Sequence, residues 1–158
     1  MNALVVYYSR TGKTKFVAEK IALELEAEIE EIADLKKRDG WFGFLKAGFD
    51  ATLGRETKIG EIRKSPKDFD LIIVGTPVWN SRPSSAIRTY LKKNDLSKKK
   101  AAIFCTNEGV GKEKALERTK DLASNANIVG ELMLSKVFED REENENKISN
   151  WCSNLSSL

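Results

Sequence analysis

The sequence predicts an α/β fold, a doubly wound parallel sheet in one domain with helices on both faces. Three observations predict it. Short apolar runs alternate with amphipathic helical stretches about five times along 158 residues. The middle runs are continuously apolar, as burial on both faces requires. No internal repeat, linker or low-complexity tract interrupts the rhythm.

The elements follow in order. Residues 3–8 form an apolar, β-branched and aromatic run bounded by Ser9, a buried strand. Residues 13–26 place Val17, Ala18, Ile21, Ala22 and Leu25 on one helical face. Residues 28–33 read as a short, half-exposed strand, and 70–75 (Asp-Leu-Ile-Ile-Val-Gly) as the clearest strand in the chain. Helix 84–93 turns Ala86, Ile87, Tyr90 and Leu91 inward, and strand 100–105 ends at Cys105. Helix 112–124 carries Ala115, Leu116, Thr119, Leu122 and Ala123, and 127–137 is a last strand. Helix 142–156 closes the pattern, with Ile148, Trp151, Cys152 and Leu155 spaced i, i+3, i+4, i+7. Residues 36–58 exceed a typical connection. There Trp41, Phe42, Phe44, Leu45, Phe49 and Leu53 recur at roughly helical spacing among four glycines. They read as a helix over the sheet edge, an aromatic wall near a ligand, or a dimer contact.

Composition narrows the chemistry. With no histidine, the usual general base and zinc ligand are missing. The two cysteines, Cys105 and Cys152, lie far apart, so neither a metal-spaced set nor a CxxC exists. A net charge of +3 is too mild for a nucleic-acid protein. No apolar run reaches the roughly 18–20 residues of a membrane span. The start of the chain has no secretory signal pattern, which favours the cytoplasm. Charge is uneven: Lys92, Lys93, Lys98, Lys99 and Lys100 cluster, as do Glu139, Asp140, Glu142, Glu143 and Glu145. These are either solvated helix ends or a docking patch for a charged partner.

Ligands of open parallel sheets bind outside the carboxyl ends of the strands. Three loops leave those ends. Ser9-Arg10-Thr11-Gly12-Lys13-Thr14 offers hydroxyls, a tight turn at Gly12 and a helix N-terminus carrying about half a positive charge. That is an anion cradle, or else an ordinary capped helix. A Walker A loop requires glycine at position 7, which is Tyr7, and no GxGxxG fingerprint is present. The second loop, Thr76-Pro77-Val78-Trp79-Asn80-Ser81-Arg82-Pro83, presents Trp79 as a stacking platform or as a loop anchor. The third, Thr106-Asn107-Glu108-Gly109-Val110-Gly111, offers backbone N–H groups for the polar edge of a ring. A phosphatase loop, Cys-x5-Arg, fails because position 111 is glycine, so Cys105 reads as a small buried residue. A receiver domain fails because Tyr8-Ser9 replaces the acidic pair.

In order and spacing together, these loops make the chain resemble the flavodoxin and flavodoxin-like FMN proteins over nearly its whole length. Tyr8 to Thr14 looks like the family's phosphate loop, Thr76-Pro77-Val78-Trp79 like its first flavin loop, and 106–111 like its second. The resemblance implies five strands in order 2-1-3-4-5, FMN at the β1/β3 switch point, Trp79 against the ring, and the 106–111 backbone on its pyrimidine side. Two departures stand out. Val110 occupies the place of a second stacking tyrosine, and Asn80-Ser81 that of a flipping glycine. The leading expectation is an electron carrier that docks on redox partner proteins, as a monomer or homodimer. The alternative is an FMN-dependent NAD(P)H:quinone-type oxidoreductase, and the third a non-redox binding module. Glu108, if close to the ring, would repel an anionic reduced flavin.

Overall fold

The buried run Ala3–Tyr7 forms the first strand, β1, and every one of its residues is buried. It lacks polar alternation because helices cover both its faces. The computed structural model describes residues 1–35 and 56–158, so the aromatic segment 41–53, read as an edge helix, an aromatic wall or a dimer contact, lies outside the described residues. β1 pairs in parallel with β2 (Glu28–Glu31) on one side and β3 (Leu71–Trp79) on the other. β3 pairs with β4 (Lys100–Asn107), and β4 with β5 (Asn127–Ser135), again in parallel. Numbered along the chain, the five parallel strands stand in the order 2-1-3-4-5 that the resemblance implied.

Four described helices cover the sheet: α1 (Lys13–Leu25), α2 (Ser85–Lys93), α3 (Lys112–Leu122) and α4 (Arg141–Ser156). Alternate strand residues feed two separate cores. Val5, Tyr7, Ile73, Phe104 and Leu134 meet Val17 and Ile21 of α1 and Ile148, Trp151 and Leu155 of α4. Leu4, Val6, Ile72, Val74 and Ile103 meet Ile87 and Tyr90 of α2 and Leu116 of α3. The apolar positions expected to face inward do so, although Ala22, Leu25 and Leu122 are only partly buried. Among the described residues no helix is long and apolar enough to cross a membrane.

Helix ends fall within two residues of expectation, as different criteria for them would. The differences that matter are at the strand ends. β3 runs on to Trp79, so Thr76 to Trp79 are strand and not loop. The chain then reverses through Asn80-Ser81, and Arg82–Pro83 pairs antiparallel with the end of β3, Val78 to Pro83 and Trp79 to Arg82. Asn80 and Ser81 have φ of 47° and 58°. Positive φ at both central residues is what a two-residue type I′ hairpin requires. Asn-Ser is a weaker signal for that turn than Asn-Gly, which is why the hairpin was missed. β5 stops at Ser135, two residues early, because Lys136 turns to φ 48°.

Candidate functional site

The loops leaving β1, β3 and β4 converge on a cavity of about 540 Å³, within the size range of small-molecule sites. From the first loop Arg10, Thr11, Lys13 and Thr14 line it. From the hairpin come Pro77, Val78, Trp79 and Asn80, and from the third loop Thr106, Asn107, Glu108 and Gly109. Val110 lines it as well and is 94% exposed. Sequence reasoning weighed Val110 only as the substitute for a tyrosine. Of the expected site residues, Ser9, Gly12, Thr76 and Gly111 do not line the cavity.

The first loop brings a helix start to the cavity. Gly12 starts α1 at φ 85°, and no side chain caps the helix. The first-turn N–H groups are thus left to an external acceptor. α3 likewise begins uncapped at Gly111, φ 91°, whereas α2 carries an ordinary cap, Ser84 Oγ accepting from Ile87 N at 3.3 Å. The first loop thus differs from the side-chain-capped start of α2. A Cβ on Gly12 would meet nothing within 4 Å, so the turn borders open space. Ser9 Oγ is buried with no hydrogen-bond partner among the described residues. An orphaned buried hydroxyl costs about 1–3 kcal/mol, a cost that an anion seated in the loop would relieve.

The hairpin brings an aromatic ring to the cavity. Trp79 meets the buried ring of Tyr8 edge-on, with centroids 5.5 Å apart and planes at 84°. Such T-shaped pairs are favourable and hold the indole in place. Thr76, fully buried, accepts from Ser84 N at 2.9 Å and so ties β3 to the start of α2.

The third loop is braced from behind. Asn107 Nδ2 donates to Gly109 O, and its Oδ1 accepts from Ser135 Oγ at 2.7 Å. The Thr14 and Thr106 hydroxyls, both buried, share a hydrogen bond of 2.8 Å that links the cradle to this loop. Lys13 Nζ reaches Glu108 at 2.8 Å and Glu139 at 3.7 Å. The hydrogen bond to Glu108 raises the Lys13 ammonium above its ordinary pKa. Glu108 therefore brings no uncompensated negative charge, which weakens the repulsion expected of it.

The charged clusters are largely engaged in the fold. Lys99 Nζ donates to the carbonyls of Lys67 and Phe69 at 2.7 and 2.8 Å, and Lys92 pairs with Glu56 at 2.8 Å. Glu143 and Glu145 pair with Lys147 and Arg141 of the same helix. Both cysteines are buried, and desolvation pushes each thiol up to about 12. Thiolate is the nucleophile, so neither acts as one near neutral pH. We expect no labelling of the folded protein by a thiol reagent at pH 8 and two labels per chain after denaturation; fast native labelling would return Cys105 to the site.

The model of the NADPH-dependent FMN reductase family matches residues 1–138. The chain belongs to that family. No protein with a curated description matches it. A Lactobacillus acidophilus flavoprotein, solved in complex with FMN, is 26% identical, with 95% of this chain and 97% of that one covered at a TM-score of 0.70. Flavodoxin 2 from Bacillus cereus is 19% identical over 99% of both chains, at 0.68. The Streptococcus pneumoniae TIGR4 flavodoxin is 17% identical over 99% of both, at 0.61. The last two are likenesses of fold. The residues of this family member fit FMN: an uncapped helix start and an orphaned hydroxyl suit its phosphate, and a braced indole suits its ring. The chain is a flavodoxin-like flavoprotein with FMN as its cofactor.

Proposed function

We propose that this chain is an FMN-dependent oxidoreductase that takes reducing equivalents from a reduced nicotinamide nucleotide and passes them to a small flat acceptor of the quinone type. The observation that carries the reading is Val110. It is short, lies on the cavity lining where a second stacking ring would stand, and is 94% exposed, leaving room for a second flat molecule. The family match over residues 1–138 supports the same reading over the carrier first expected.

Bound FMN supplies a centre that accepts two electrons from the donor and returns them to the acceptor. The chain's own residues do the rest. The first turn of α1, with Ser9 and Thr11, holds the phosphate. Trp79, braced by Tyr8, covers one ring face and keeps water from it. The backbone at 108–110, held by Asn107, faces the polar edge of the ring, and Lys13 offsets the charge of Glu108.

Anaerobic mixing of the FMN-loaded protein with NADPH tests this. We expect bleaching of the flavin band, and steady-state quinone reduction at about 1 s⁻¹ or faster, a usual enzyme rate. Absence of both sinks the enzyme reading. The carrier reading draws on the fold shared with flavodoxins over 99% of the chain. It predicts no NAD(P)H oxidation, and photoreduction that passes through a stable one-electron stage. In that case docking on redox partner proteins replaces small-molecule turnover.

A further inference from the structure

Three arginines from three elements lie near the hairpin that carries Trp79, close enough that the charges of Arg82 and Arg118 both act on Arg88. Arg82 stands on the return strand, paired with Trp79. Arg88 lies on α2, its backbone N–H donating to Ser84 O at 3.0 Å. Arg118 reaches across from α3, and its Nη1 donates to Ser81 O at 2.6 Å. Arg88 is only 8% exposed, and its Nε and Nη2 have no hydrogen-bond partner among the described residues. Arg82 and Arg118 are half-buried.

Such a group is costly. A buried guanidinium without partners loses its hydration, and neighbours of like charge add to the loss. Burial, then Arg82 and Arg118, lower the pKa of Arg88, and Glu56 only partly opposes them. Glu56 is itself paired with Lys92 at 2.8 Å. Among the described residues no carboxylate forms an ion pair with any of the three. Two half-exposed guanidiniums near a buried one suit a tetrahedral dianion, whose oxygens take forked hydrogen bonds from such groups.

We propose that Arg82, Arg88 and Arg118 form a binding site for a phosphate monoester beside the Trp79 hairpin. The site stands on the cluster itself. Its use to seat the ribose phosphate of a nicotinamide donor, as opposed to a free phosphate ester, rests on the oxidoreductase reading.

The test is calorimetric titration of the FMN-loaded protein, in phosphate-free buffer, with 2′-AMP and with adenosine. FMN occupies the cradle, so the titration reads a second site. We expect 2′-AMP to bind and adenosine not to. Arg82→Gln should weaken 2′-AMP at least tenfold, and Arg88→Met should weaken it further. If the buried substitution fails to fold, the half-exposed Arg82 carries the test alone. No heat with 2′-AMP at millimolar concentration, or equal affinity in Arg82→Gln, overturns the site. Kinetics separate the two sources. A KM for NADPH that rises at least tenfold more than that for NADH in Arg82→Gln identifies the donor's phosphate; an unchanged ratio, with 2′-AMP binding lost, identifies a free ester. A protein that binds 2′-AMP through these arginines but never oxidises NADPH keeps the site and loses the proposed function. One that oxidises NADPH with arginine-independent 2′-AMP binding does the reverse.

Discussion

Thr11→Glu should weaken FMN binding about a hundredfold while leaving the fold intact. Thr11 is exposed on the cavity wall, beside the uncapped start of α1. A carboxylate there would face the FMN phosphate. Two unit charges about 4 Å apart near a protein surface interact by about 4 kcal/mol. Solvent at this open wall removes part of that, and about 3 kcal/mol corresponds to roughly a hundredfold. Surface substitutions of this kind cost about 0.5 kcal/mol or less in stability. The measurement is quenching of flavin fluorescence on titration into apoprotein, with the thermal midpoint as control. Thr11→Ser should bind FMN within about threefold of wild type. Unchanged affinity in the acidic variant would move the phosphate out of this loop.

Gly111→Val should be the most damaging single change to the architecture of the site. Gly111 sits at φ 91°, and a Cβ there would stand 2.2 Å from Ser81 Oγ and 3.2 Å from Ser81 Cα. The left-handed backbone costs a non-glycine residue about 1–2 kcal/mol, and forced overpacking about 1–3 more. For a chain of this size, that lowers the thermal midpoint by about 5–15 °C. The clash pushes the third loop away from the hairpin, so FMN affinity should fall as well. A double-mutant cycle with Ser81→Gly isolates the contact. The pair should lose clearly less stability than the two single changes summed. Strict additivity would mean that backbone strain at Gly111, and not the contact with Ser81, sets the cost.

Both predictions concern joints between loops, and joints are where the sequence is hardest to read. The strands were legible because two-sided burial leaves continuous apolar runs such as Leu71-Ile72-Ile73-Val74, and the helices because Ile148, Trp151, Cys152 and Leu155 repeat at helical spacing. The uncapped helix start was legible because Gly12 closes the loop between a strand and a helix. Trp79 lines the cavity, but it ends a strand and does not sit in a loop. Parallel pairing of Thr76 and Pro77 with β4, and antiparallel pairing of Val78 and Trp79 with Pro83 and Arg82 across the turn, keep the segment extended.

The strand order thus came from the family resemblance, while local pattern was enough for the α/β class and for the three loops at the strands' carboxyl ends. These are properties of short windows, in which burial and backbone freedom leave a periodic trace. The hydroxyl pair Thr14–Thr106, the Lys13–Glu108 ion pair and the convergence of Arg82, Arg88 and Arg118 leave no such trace. Thr14 and Thr106 are 92 residues apart, and nothing near either one specifies the other. Their contact exists because β1 and β4 flank β3 in one sheet, so the helix and loop that leave their ends are brought side by side. The charge balance inside the cavity, and the three-arginine cluster near the hairpin, come from that packing.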